Sequence, residues 1–462
     1  MKVAKQFLFI AIMHFLIISP IYSQEILWEE LDAKAFELYQ QGQYSKAIEV
    51  AEHALRIAEK TFGADHPNVG NSLNSLAMLY KDTNRLEEAE PLIERSLKIV
   101  EKSLGKDHPN VAAVLNNLAM LYKDTNRLDE AEPLYKRALE IDEKAFGKDH
   151  PNVARDLNNL AMLYKATNRL KEAEPLMKRA LKIYKNSFGK DHPNVATALN
   201  NLAMLYHVTN RLKEAEPLYK RALEIDEKAF GKDHPDVALA LNNLAMLYQE
   251  TNRLKEAEPL MKRALEIDEK ALGKDHPKVA TALNNLAELY RVTNRLDEAE
   301  PLYKRALEID QKAFGKDHPD IARDMNNLAA LYKATNRLKE AEPLMKRVVK
   351  IFEKSYGDDH PNVATALNNL AALYDVTNRL DEAEPLYKRA LEIDEKSFGK
   401  DHPKVATDLN NLAWLYQATN RLEEAEPLYK RALKIFEKSL GPDHPNTRQV
   451  RKNLKDLLQD MK

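Results

Sequence analysis

Apolar and polar positions recur along this chain with a period of 42 residues. Within each period, two stretches place apolar residues at the three- and four-residue spacing of an amphipathic helix. In the period that begins at His108, the first stretch contains Val111, Leu115, Leu118, Ala119 and Tyr122. The second contains Ala131, Leu134, Tyr135, Ala138, Leu139, Ile141 and Phe146. The pattern therefore predicts two helices per period, here named helix A and helix B.

Recurring residues mark where each helix begins and ends. Pro109 suits the first turn of helix A, where a missing N–H costs nothing, and Asp107 or His108 is expected to cap that helix. The Thr-Asn-Arg segment 125–127 is expected to form the turn, and Gly147 is expected to end helix B. The His-Pro pair begins, always 42 residues apart, at His66, His108, His150, His192, His234, His276, His318, His360, His402 and His444.

A fixed period of this length is typical of a solenoid, in which each repeat packs on its neighbours. The chain divides into a degenerate first repeat at 24–65, nine 42-residue repeats at 66–443 and a polar C-terminal capping helix at 444–462. Residues 1–23 differ from everything that follows. We therefore predict about ten helix pairs and one further helix.

This pattern resembles the tetratricopeptide repeat (TPR), in its 42-residue kinesin-light-chain type. The resemblance covers Ala33 to the C-terminus and includes the Asp-His-Pro loop and the stretch Ala-Glu-Pro-Leu-Tyr-Lys-Arg-Ala-Leu. The matching positions are Leu115, Leu118, Ala119, Tyr122, Ala131, Tyr135 and Ala138. The resemblance implies an all-α, right-handed superhelical solenoid whose concave groove binds peptides.

Residues 1–23 have the order of a secretory signal peptide. Lys2 and Lys5 precede a short apolar run, 7–18, and a small residue, Ser23, stands before Gln24. The run is too short for a comfortable membrane span, although an uncleaved anchor is the alternative. We expect export, to a periplasm or the extracellular space, and no membrane span after cleavage. Because the chain contains no cysteine, its stability must come from packing without disulfides.

Charge and motifs argue against several functions. The 70 basic residues nearly balance the 72 acidic ones, so no nucleic-acid partner is expected. Each Asp-His pair offers only two ligands, and pairs in adjacent repeats are on the order of 10 Å apart, too far for one zinc ion. Helix capping explains them better. No catalytic triad, phosphate-binding loop or zinc-protease motif is present, so neither an enzyme nor a cofactor is expected.

The asparagine pair in Leu-Asn-Asn-Leu-Ala is the main candidate site. The resemblance places the first Asn in the groove, and a carboxamide can donate to and accept from a peptide backbone. The alternative is a structural ladder of amides between repeats, which we favour for the second Asn. The candidate peptide-binding residues are Asn116, Asn158, Asn200, Asn242, Asn284, Asn326, Asn368 and Asn410, and the equivalent position in the preceding repeat is Asn74.

Positions beyond the asparagines vary and are expected to set specificity. One turn later, Met78 to Met246 give way to Glu288, Ala330, Ala372 and Trp414. Three residues further, Lys81, Lys123 and Lys165 favour an acidic segment, unless they are only solvated surface lysines. We therefore predict a non-catalytic module that binds a protein or peptide. The alternative is a structural scaffold or a self-associating solenoid that uses its convex face and ends. The sequence does not determine the oligomeric state.

Overall fold

The structure is a computed structural model and describes residues 24–461. Within this range the protein is all-helical, with 21 helices arranged as consecutive helix pairs that form a solenoid. The predicted signal peptide lies outside the described residues. The described chain divides into two compact units. Unit 1 contains the described residues up to Tyr122 together with Pro133–Lys148, and unit 2 contains Lys123–Glu132 and the chain from Asp149 onwards.

Helices A have odd numbers. After α1, which is helical over 24–40 of the described chain, they are α3 (Pro67–Asp82), α5 (Pro109–Asp124), α7 (Pro151–Ala166), α9 (Pro193–Val208), α11 (Pro235–Glu250), α13 (Pro277–Val292), α15 (Pro319–Ala334), α17 (Pro361–Val376), α19 (Pro403–Ala418) and α21 (Pro445–Asp460).

Helices B have even numbers. They are α2 (Tyr44–Phe62), α4 (Leu86–Leu104), α6 (Leu128–Phe146), α8 (Leu170–Phe188), α10 (Leu212–Phe230), α12 (Leu254–Leu272), α14 (Leu296–Phe314), α16 (Leu338–Tyr356), α18 (Leu380–Phe398) and α20 (Leu422–Ser439). The predicted all-α fold is confirmed.

Histidine caps helix A from α3 to α21. In each case the imidazole Nδ1 accepts a hydrogen bond from the backbone N–H two residues later, as in His360, at 3.1 Å from the nitrogen of Asn362. Proline follows as the first helical residue, because its missing N–H needs no partner there. The capping residue is therefore the histidine, not the preceding aspartate. Asp233 instead bonds Lys270 near the end of the following helix B.

The Thr-Asn-Arg turn depends on a left-handed asparagine. Nine such residues, from Asn84 to Asn420, have φ between 56° and 60°, a region that Asn tolerates better than most residues. The next residue fixes the turn: the guanidinium of Arg211 lies 3.9 Å above the Tyr206 ring and donates to Glu174 of the preceding helix B at 2.8 Å. Arg211 also bonds Glu214 through two nitrogens. From Arg169 to Arg421, the same cluster anchors the turn to the previous repeat.

Small residues allow the helices to pack closely. Between α13 and α14 the core consists of Val279, Ala280, Leu283, Ala306 and Ile309. The alanines have no measurable exposure, and the larger side chains occupy the space beside them. The same arrangement recurs between α11 and α12. Apolar burial therefore stabilises every repeat through its own helix pair and its neighbours.

Some boundaries between repeats bury carboxyl groups. Asp310 of α14 meets Asp324 of α15, and Asp394 of α18 meets Asp408 of α19. All four side chains are at most 3% exposed. Burial raises the pKa of each, and for Asp310 and Asp408 the neighbouring carboxyl raises the pKa further. We name these two boundaries, α14/α15 and α18/α19, the acidic boundaries.

Candidate functional site

The candidate asparagines lie in the middle of helix A and are not freely exposed. Four are buried, at 5–8% exposure, namely Asn116, Asn158, Asn242 and Asn284. The others, Asn200, Asn326, Asn368 and Asn410, are half-buried, like Asn74. Helix–helix packing positions the whole row, because apolar residues on both sides of each asparagine are buried in the repeat.

The amides bond to one another between repeats. The second asparagine of one repeat donates to the side-chain oxygen of the first asparagine of the repeat before it. Such bonds join Asn117 to Asn74 (3.0 Å), Asn327 to Asn284 (3.3 Å), Asn369 to Asn326 (2.8 Å) and Asn453 to Asn410 (2.9 Å). The amide ladder that the sequence left open is therefore present at these positions, and it continues into the capping helix α21.

Two candidate asparagines also serve the acidic boundaries. Asn284 Nδ2 donates to Asp324 at 2.7 Å, and Asn368 Nδ2 donates to Asp408 at 2.6 Å. Asn116 Nδ2 instead donates to the backbone carbonyl of Ala112 within its own helix. These amides have partners inside the solenoid, which compensates for the poor helix propensity of asparagine. Peptide binding by them stays a prediction.

In three consecutive repeats of unit 2, the first asparagine lacks the hydrogen bond to its oxygen that the amide ladder provides elsewhere. The side-chain oxygens of Asn158, Asn200 and Asn242 are buried and accept no hydrogen bond from the described residues. An amide oxygen that is buried without a donor costs free energy. The row therefore retains unused acceptors on three successive helices, α7, α9 and α11. The oxygen of Asn368 on α17 is also without a donor, although its amide nitrogen donates to Asp408.

Helix α11 also exposes apolar side chains on the asparagine face. Leu239 is 57% exposed and Met246 is 44% exposed, and they lie three residues before and four residues after Asn242. Positions three and four apart share one helix face. The equivalents of Leu239 in neighbouring repeats are Thr197 and Thr281. An apolar contact surface therefore surrounds an asparagine at this point of unit 2.

The candidate lysines are half-buried and already have contacts. Lys81 lies 2.8 Å from Asp82, and Lys123 lies 3.4 Å from Asp124. Lys165 is directed at the sulfur of Met204 at 2.7 Å, and burial lowers the pKa of its ammonium group. The positive charge of these three lysines is thus partly reduced by contacts and burial within the protein. Recognition of an acidic segment by these lysines stays a prediction.

Two cavities border the asparagine row, one in each unit. A cavity of about 320 Å³ in unit 1 is lined by Asn74, Met78, Phe36 and Tyr39, among others. A cavity of about 330 Å³ in unit 2 is lined by residues that include Asn326 and Asn369. Among the described residues, no group of three or more His, Cys, Asp or Glu side chains could hold a metal ion. No helix over 24–461 is long and apolar enough to cross a membrane.

The family model of the tetratricopeptide repeat matches the chain almost from end to end. The matched segments are 34–102, 74–144, 110–186, 172–228, 194–270, 236–312, 278–354, 335–396, 376–438 and 421–462. The chain belongs to the tetratricopeptide-repeat family. The TPR resemblance noted in the sequence is confirmed, whereas the signal peptide stays a prediction.

Solved structures with similarity to this TPR chain include kinesin-light-chain-like proteins. One is a putative kinesin light chain of Podosopora anserina with nearly identical TPR-like repeats, at 26% identity and a TM-score of 0.38, covering 45% of this chain and 98% of that one. Another is BtubC (BKLC) from P. vanneervenii, at 26% identity and a TM-score of 0.40, covering 51% and 92%.

A third similar structure is a Rap protein complexed with Competence and Sporulation Factor. Its identity to this chain is 16% and its TM-score is 0.47, with coverage of 76% of this chain and 98% of that one. No curated protein matches the chain significantly.

Sequence reasoning missed the buried aspartates. A signal was available, because the position of Asp310 is occupied by Tyr184, Phe352 and Phe436 in other repeats. A position that holds large apolar side chains in other repeats is expected to be buried in every repeat. The Tyr-Arg-Glu clusters were missed for another reason: their three members come from different parts of two repeats.

Proposed function

We propose that this TPR protein is a non-catalytic interaction module that binds an extended segment of a partner protein along helices α7, α9 and α11. The observation that carries the proposal is the run of three unused amide acceptors beside the exposed Leu239 and Met246. An extended peptide has backbone N–H donors at about 3.3 Å per residue, so roughly three residues would span two adjacent helices. Its apolar side chains would contact α11.

The test is to select peptides from an unbiased displayed library with two variants. The site variant combines Asn158→Ala, Asn200→Ala and Asn242→Ala. The matched control combines Asn326→Ala and Asn410→Ala, whose oxygens belong to the amide ladder. We expect the wild type and the control to enrich the same peptides, and the site variant to lose them without a drop in thermal stability. Enrichment by all three proteins alike would exclude these asparagines.

We further propose that the protein is exported, because residues 1–23 have the charge and apolar order of a signal peptide. N-terminal sequencing of the protein from the cell envelope or medium tests this. A chain that begins at Gln24 is expected. A chain retained in the cytoplasm with Lys2 and Lys5 at its start would contradict export.

A further inference from the structure

The cavity of unit 1 lies where the first repeat departs from the others. Counted by the 42-residue period, Asp32, Phe36 and Tyr39 of α1 occupy the positions of Asn, Met and Lys in the repeat that follows. The first repeat thus has a carboxyl group and two aromatic rings in place of an amide, a thioether and an ammonium group. All three residues line the cavity of about 320 Å³, which α1, α2 and α3 enclose together.

The lining of this cavity is largely apolar and aromatic. Its buried members are Ala35, Ala51 and Leu79. Phe36 is 62% exposed, so its ring stands at the opening. The ring of Tyr39 is fixed in place, because its hydroxyl donates to Asp82 at 2.7 Å and its ring centroid lies 5.5 Å from that of Tyr44. Aromatic rings attract a cation that lies within about 6 Å of their centroid.

The cavity contains two carboxyl groups, and only one of them has partners. Asp82 accepts from Tyr39 and lies 2.8 Å from the ammonium group of Lys81. Asp32 is half-buried and makes no hydrogen bond or ion pair within residues 24–461. Burial raises the pKa of Asp32, since no cation compensates for the water that its carboxylate loses. No lysine or arginine belongs to the described lining. The charge that would complement this cavity is therefore positive.

We propose that this cavity binds an organic cation, an ammonium or guanidinium group attached to a small apolar body. Asp32 is the counter-ion, the rings of Phe36 and Tyr39 contact the cation, and the apolar lining contacts the body. Charge-assisted hydrogen bonds are stronger than neutral ones, and partial exclusion of water strengthens them further.

The volume of the cavity limits the size of the ligand. Small-molecule sites occupy about 300–1,000 Å³, and this cavity lies at the lower end of that range. A free amine or one basic side chain of a partner protein has the required chemistry and size. The cavity lies in unit 1, so the inference does not depend on the peptide-binding surface proposed for α7, α9 and α11.

The first test is isothermal titration calorimetry of the full chain with benzylammonium, benzylguanidinium and the neutral benzyl alcohol. We expect the cations to bind and the alcohol to give no measurable heat. A second arm uses the peptide acetyl-Gly-Arg-Gly-amide and its neutral citrulline counterpart. Binding of the benzyl cations identifies a free amine as the ligand, and binding of the arginine peptide alone identifies a basic side chain. The proposal is overturned if no cation binds in either arm, or if the neutral probes bind as tightly as the charged ones.

The second test assigns the binding to the cavity. Asp32→Asn installs the residue that the next repeat carries, so the fold should persist while the affinity for the cation falls by at least about tenfold. Phe36→Met also copies the next repeat and should weaken binding by about threefold, because one aromatic face is lost. Glu30→Gln, the same loss of charge at an exposed position of α1 outside the cavity, is the matched control. Unchanged affinity in Asp32→Asn, or an equal loss in Glu30→Gln, would overturn the proposal.

Discussion

The boundary between α18 and α19 contains two buried carboxyl groups, whereas the same two positions between α16 and α17 hold the half-buried Phe352 and the buried Ala366. A second apolar pair, Tyr184 and Ala198, occupies the equivalent positions between α8 and α9. We name α8/α9 and α16/α17 the apolar boundaries. Both kinds of boundary join repeats of nearly identical sequence, so the two positions are a natural comparison.

Neighbouring donors partly compensate for the buried carboxyl pairs of the acidic boundaries. At α14/α15, Arg323 lies 3.1 Å from Asp310 and 3.3 Å from Asp324, and Asn284 donates to Asp324. At α18/α19, Asn368 donates to Asp408, and the positive group that faces the pair is Lys404. Ionising both carboxyl groups of such a pair costs much free energy, so we expect each pair to keep one proton near neutral pH. In a solenoid, where stability is a sum over boundaries, such a site is a local weak point.

The largest effect is expected from making an apolar boundary acidic. Phe352→Asp combined with Ala366→Asp removes a large side chain and adds two carboxyl groups. We expect a loss of about 3–5 kcal/mol in the free energy of unfolding, because the lost packing of the half-buried Phe352 adds to the cost of a carboxyl group at the buried position 366. Urea titration followed by circular dichroism measures the loss, and hydrogen exchange should locate it in α16 and α17. A loss spread evenly over the described chain would contradict a boundary effect.

The opposite exchange should stabilise the protein. Asp394→Phe combined with Asp408→Ala copies the apolar boundary onto α18/α19 and removes the buried carboxyl pair. Replacing buried charges by apolar residues of suitable volume stabilises proteins by about 1–4 kcal/mol in known cases. We expect a gain in this range at about pH 8, measured by the same urea titration. An unchanged or lower midpoint would show that the pair and its Asn368 bond are net stabilising.

The smallest expected effect concerns a single buried aspartate opposite an alanine. Burial raises the pKa of Asp226 to about 7, and its neighbour Ala240 offers no polar partner. The folded protein therefore keeps a proton that the unfolded chain releases above about pH 4, so stability falls as pH rises towards 7. Between about pH 5 and pH 7, we expect the free energy of unfolding to decrease by about 1–2 kcal/mol less in Asp226→Asn than in the wild type. Parallel pH profiles of both proteins would contradict the shift.

The local parts of this protein were predictable from the sequence. The helix pairs, the proline at the start of helix A from α3 onwards and the glycine after helix B from α2 to α18 are confirmed, because each depends on residues within one or two turns of chain. The candidate site was predictable only as a row of positions. Which amides have free acceptors depends on the next repeat, as the contrast between Asn242 and Asn284 demonstrates.

The sequence by itself therefore determined the repeat and the bounds of its two helices, since these follow from hydrogen bonds and apolar spacing along one segment. Only the tertiary structure decided which side chains meet across repeats. The pairing of Asp394 with Asp408 depends on how two helices approach each other. The bond from Asn369 to Asn326 likewise depends on how two successive repeats stack. No local pattern encodes that approach, because it arises from the packing of one repeat against the next.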